Sequence, residues 1–140
     1  LKKTLITDMV NKEFGFTSRE EVLGLIEKIE GENGDEYIRK MVTFFFEAVK
    51  QGDKPATEYC ERMATRGAQL ISALANQMNF GDGEVEVVLS GSINVKLDNK
   101  LYLDMLLSKA EAMSGKKLKF IKLEAMPVTG CINWIMQDYA

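Results

Sequence analysis

The stretch Val85-Glu-Val-Val-Leu-Ser-Gly-Ser-Ile-Asn-Val-Lys-Leu97 decides the fold. Its first part, with Glu84, is short, rich in β-branched residues and bounded by turns, which predicts a buried strand over Glu84–Leu89. Ser90-Gly91-Ser92 ends that strand. Asp98 or Asn99 then caps a helix to about Met113, with Leu101, Leu103, Met105, Leu106 and Leu107 inside. After the exit turn Ser114–Lys117, Leu118–Ala125 predicts a second strand. Pro127–Gly130 leads into a last helix from Cys131 to about Tyr139, with Ile132, Trp134 and Ile135. Two strands joined by a crossover helix pair in parallel through a right-handed connection. A two-stranded parallel sheet is not stable alone, because such sheets are normally larger and covered on both faces. Strands are therefore expected from outside this sequence, either from a missing N-terminal part of the same protein or from another copy of the chain.

Upstream, the pattern is helical. Leu5, Ile6, Met9, Val10 and Phe14 mark an amphipathic helix over Leu1–Phe14. Thr17 or Ser18 caps the next, with Glu20 and Glu21 in its positive first turn and Val22, Leu23, Leu25, Ile26 and Ile29 on its buried face. After the turn at Gly31–Gly34, Asp35–Lys50 forms a helix whose Phe44, Phe45 and Phe46 call for burial on two sides. Gly52 suits its left-handed end and Asp53 caps the following helix, which tolerates Pro55 in its first turn and runs to about Asn79. Ala56, Cys60, Ala64 and Ala68 recur at four-residue spacing, so one face of that helix lies close to a neighbour. The chain is thus expected to be one α/β segment over residues 1–140, helical over 1–80 and strand-helix-strand-helix over 81–140.

Composition narrows the function. The 140 residues carry a net charge of −3 with the signs interspersed, which gives none of the basic footprint that nucleic acid requires. Two cysteines in no CxxC pattern argue against a disulfide framework or zinc site and fit a reducing cytoplasm. The absence of histidine removes Ser-His-Asp hydrolysis and histidine-ligated metals. No apolar run is long enough to predict a membrane span. The opening at Leu1, directly in structured-looking sequence, gives the expectation of a piece of something longer.

The chemistry-bearing candidate is Ser90-Gly91-Ser92. In open α/β sheets ligands bind outside the carboxyl ends of strands, and a glycine there admits close backbone approach. Neither G-x-x-x-x-G-K-[ST] nor G-x-G-x-x-G occurs, and no carboxylate stands out by spacing as catalytic.

Three pieces occur in order: Ala48-Val-Lys-Gln-Gly-Asp53 with Ala56, Val87-Val-Leu-Ser-Gly91, and Met126-Pro-Val-Thr-Gly130. Together they resemble the C-terminal region of the family that joins N-acetylglucosamine kinase with the BadF/BadG/BcrA/BcrD-type ATPases, of the actin-like, sugar kinase and heat-shock chaperone fold. The early stretch with Phe14-Gly-Phe16 and Ser18-Arg-Glu-Glu21 also resembles the region after that family's sugar-binding segment. The resemblance implies an incomplete ribonuclease-H-like domain in which two domains close over ATP, with Mg in the parent protein. It assigns Ser90, Gly91 and Ser92 to the adenosine side, where the family has a double glycine and this chain has Ser92 in the second position. It gives Gly130 a role in tight helix packing against the sheet and Asp53 a capping role. The family's phosphate-binding glycine loops and its activating aspartate have no counterpart here, so no catalytic or metal-binding residue is assigned. The expectation is an ATP/ADP-binding portion of a sugar kinase or ATPase that is inactive alone; the alternative is a non-enzymatic, degenerate module of the same fold acting in folding or in a homodimer.

Overall fold

The computed structural model describes residues 3–81 and 83–138 and is mixed α/β, mostly helical, with one two-stranded parallel sheet among the described residues. Contacts divide the chain into two compact units, Leu1–Arg62 and Met63–Ala140.

In the first unit, helix α1 (Leu5–Phe14) opens on a capping box: Thr4 Oγ1 accepts from the Thr7 amide, and the Thr7 hydroxyl accepts from the Thr4 amide. It ends at Gly15 in the left-handed conformation. Ser18 is the N-cap of α2 (Arg19–Leu23), and Glu21 returns the box by accepting from the Thr17 and Ser18 amides. Those two amides, Thr17 first, hold the Glu21 carboxyl below its usual range. A bend at Gly24 separates α2 from α3 (Leu25–Glu30) and turns Leu25 inward, leaving Leu23 and Ile26 more than half exposed against expectation. Helix α4 (Gly34–Lys50) packs against α1 and α3. Of its three consecutive phenylalanines only Phe46 is buried, while Phe45 stands edge-on to both Phe46 and Tyr59.

Gly52, at φ 78°, ends α4 and hands the chain to α5 (Lys54–Gln77), within which the boundary between the units falls. Asp53 caps two helices with one carboxylate. Its Oδ1 accepts from the Ala56 amide of α5 at 3.0 Å, and its Oδ2 from the Leu5 amide of α1 at 3.0 Å.

The small-residue face of α5 is the close-packed one: Ala56, Cys60, Ala64 and Ala68 are all buried, and Ser72 continues the row. In the second unit, Ala64 and Ala68 join Val85 and Leu89 of β1 (Val85–Leu89), Leu118 of β2 (Leu118–Lys122), and Leu103, Leu106 and Ala110 of the crossover helix in one core. The strands pair in parallel in the register Val85↔Leu118 to Leu89↔Lys122. Burial alternates along β1: Val85 and Leu89 are inside, while Glu86 and Val88 are exposed. A buried strand was expected; among the described residues it is buried on one face only. The open face carries the Glu86–Lys119 ion pair at 3.1 Å and the cross-strand pair Val88 and Ile121.

Between the strands lie two helices where one was expected: α6 (Ser92–Lys96) and the crossover α7 (Lys100–Ser114). Leu101 is nearly half exposed, on the outer side of α7. The last helix, α8 (Pro127–Asp138), starts at Pro127, four residues before the expected start, because proline is pre-set for the first helical turn. Val128, Ile132, Trp134, Ile135 and Met136 of α8 are all exposed. Gly130 is exposed as well, and a Cβ built on it would meet nothing within 4 Å. The expected tight packing of Gly130 against the sheet is therefore corrected. No helix among the described residues is long and apolar enough to cross a membrane.

The two thiols follow this division. Cys60 is fully buried and burial pushes its thiol up from the usual range, whereas Cys131 on α8 is exposed. In the native chain one thiol is expected to react promptly with an aromatic disulfide reagent and the second only on adding denaturant. Two prompt thiols would contradict the packing of α5.

Candidate functional site

Ladder pairing brings the turn into position: Leu89 O at the end of β1 accepts from the Leu123 amide at 2.9 Å, so the sheet holds the strand up to the residue before Ser90. Ser90, Gly91 and Ser92 are all exposed at this carboxyl end. Gly91 takes φ 88° and ψ 156°, a conformation essentially limited to glycine. An added Cβ would touch nothing within 4 Å. Conformation, and not crowding by the chain itself, is what requires glycine at position 91.

The next position behaves differently. Among the described residues every positive φ belongs to a glycine, so Ser92 lies in the ordinary region as the first residue of α6. A side chain there needs no backbone change. Ser92 thus adds an exposed hydroxyl without distorting the turn.

Two side-chain amides hold this corner. Asn94 Nδ2 donates to Ser90 O at 2.9 Å across the first turn of α6. Asn99 Nδ2 donates back to Ile93 O at 2.7 Å. Asn99 occupies the N-cap position of α7, as the sequence allowed, yet its side chain makes no capping bond. Its role at the turn was invisible in sequence, because α6 itself was not expected and Asn99 had a ready explanation as a cap.

An apolar recess lies at the other end of β1, lined by Ile71, Leu74, Met78, Phe80, Val85 and Val87. It is not the space outside Gly91. Among the described residues no group of three or more Cys, Asp or Glu is placed to hold a metal ion. Asp53 sits in the first unit, engaged in capping. No family model, curated protein or solved structure matches the chain.

Proposed function

We propose that this chain is the adenosine-side portion of an ATP-dependent sugar kinase or BadF/BadG-type ATPase with an actin-like, ribonuclease-H-like fold. The observation that carries the reading is the turn at Gly91. A glycine-only conformation stands exposed and uncrowded at the carboxyl end of a parallel strand, where α/β sheets present their ligands. The ordered resemblance of the three sequence pieces supplies the chemical class. In this reading the backbone at Gly91 lies against the flat purine, and the hydroxyls of Ser90 and Ser92 serve as hydrogen-bond partners for ribose or phosphate.

ATP, with its Mg, supplies the transferable phosphoryl group when bound. This chain contributes a wall of the pocket and no group that positions a nucleophile or neutralises the γ-phosphate. It is therefore inactive by itself, and its nucleotide affinity is weak because the phosphates meet no cradle.

The test is a titration of the chain with ADP or ATP up to millimolar concentration while amide shifts are recorded. Shifts confined to Ser90–Val95 are expected. A chain whose Ser90–Val95 amides stay still throughout does not carry an adenosine site. The exposed apolar residues of α8 favour the second reading, a degenerate module that works by self-association. Concentration-dependent shifts on α8 together with silence at Gly91 would select it.

A further inference from the structure

We propose that Asn99 is a positioning residue for the Ser90–Gly91–Ser92 turn, fixing through α6 the backbone that the nucleotide reading places against adenosine; the inference rests on that reading for the ligand only. Helix α6 has five residues and buries none of them. A single helical turn is not stable by itself, and this one has no fully buried apolar residue and no side-chain cap at its start. What ties it down is polar. Ile93 O belongs to the last four carbonyls of the helix, the groups left without a helical amide, and it accepts from Asn99 Nδ2 at 2.7 Å. From Ile93 the tie runs through the first turn of α6, where Val95 N bonds to Gly91 O and Asn94 Nδ2 to Ser90 O.

Asn99 is only 3% exposed, and its Oδ1 is buried with no hydrogen-bond partner among the described residues. A buried amide with one half unmatched is a poor way to stabilise a fold. It makes no cap for α7 either. The donor contact to α6 is the favourable interaction the side chain does make.

Two substitutions separate positioning from folding. Asn99→Leu removes both the donor and the unmatched acceptor at similar volume. Asn99→Asp keeps the shape of the side chain but, ionised, has no hydrogen to give to Ile93 O. Asn99→Leu is expected to unfold at nearly the wild-type temperature, and Asn99→Asp, with an unpaired carboxylate at a buried position, at a lower one, so both are measured well below their transitions. Their backbone order parameters over Gly91–Val95 should fall from about 0.85 to below about 0.6. With the turn in its competent conformation only about a tenth of the time, the apparent affinity for ADP drops about tenfold. A wild-type turn that is already flexible, or order parameters unchanged in both variants, overturns the assignment. Failure of the wild type to bind ADP defeats the nucleotide reading alone, since the order parameters judge Asn99 with no ligand present.

Discussion

Replacing Leu106 with alanine is expected to lower the unfolding free energy of the second unit by about 3 kcal/mol. Leu106 is 4% exposed and belongs, with residues of α5, both strands and its own helix, to the core cluster of the second unit. The buried α5 residues of that cluster are Ala64 and Ala68, and Gly67 stands beside Leu106; none of the three has a side chain long enough to move into the space. The cavity therefore stays open and adds to the transfer cost of the lost methyl groups. Gly67 supplies an internal check. A Cβ built there stands 2.7 Å from Leu106 Cδ1, closer than atoms tolerate, while the Leu106 side chain can rotate only into a packed core. Gly67→Ala alone thus sets a helix-propensity gain of about 1 kcal/mol against that clash and is expected to come out near neutral or below. In the Leu106→Ala background the clash is gone and the same substitution should stabilise by about 1 kcal/mol. Urea titrations of the four chains measure the coupling. Strict additivity would mean that α5 and α7 do not meet at Gly67.

That contact also marks how far the sequence could be read. The four-residue spacing of Ala56, Cys60, Ala64 and Ala68 announced a close-packed helix face, and burial of all four bears it out. The parallel pairing of the strands followed from the crossover helix between them. Sidedness was not legible. Val87, Val88 and Leu89 form a short apolar run, and such a run does not tell a strand covered on both faces from one covered on a single face. Val88 is exposed because nothing among the described residues covers its face of the sheet. The apolar residues Ile132, Trp134 and Ile135 of α8 are likewise exposed, and nothing in the sequence signalled which side they would take. At the candidate turn, Gly91 was legible from its place after a strand. The reason for the glycine was not: the sequence allowed close ligand approach, and the backbone shows a positive φ that would require glycine with or without a ligand. Helix α6 escaped notice because five residues with two β-branched side chains carry no helical period.

The second large effect is expected at Asp53. Its substitution by alanine should destabilise the first unit by about 2 to 3 kcal/mol, more than a single cap is worth, because one carboxylate serves two helix starts. Oδ1 takes the Ala56 amide in the first turn of α5, and Oδ2 takes the Leu5 amide, the first of α1. Each of these N–H groups lacks a partner within its own helix, and each sits at the positive end of a helix dipole that favours a negative charge. The capping box at Thr4 occupies the Thr7 amide and leaves the Leu5 amide to Asp53, so the two devices are complementary. Asn, with a single carbonyl oxygen, can satisfy one of the two amides and carries no charge. Asp53→Asn should therefore fall between wild type and alanine, at about 1 to 1.5 kcal/mol. The sequence announced Asp53 as the cap of α5 alone, since a contact spanning forty-eight positions leaves no local pattern. Hydrogen exchange at the start of α1 decides between the single and the double role. If Asp53→Ala loosens α5 and leaves the Leu5–Asp8 amides as protected as before, the carboxylate caps one helix only, and the link from α1 to the α4–α5 turn must be sought elsewhere.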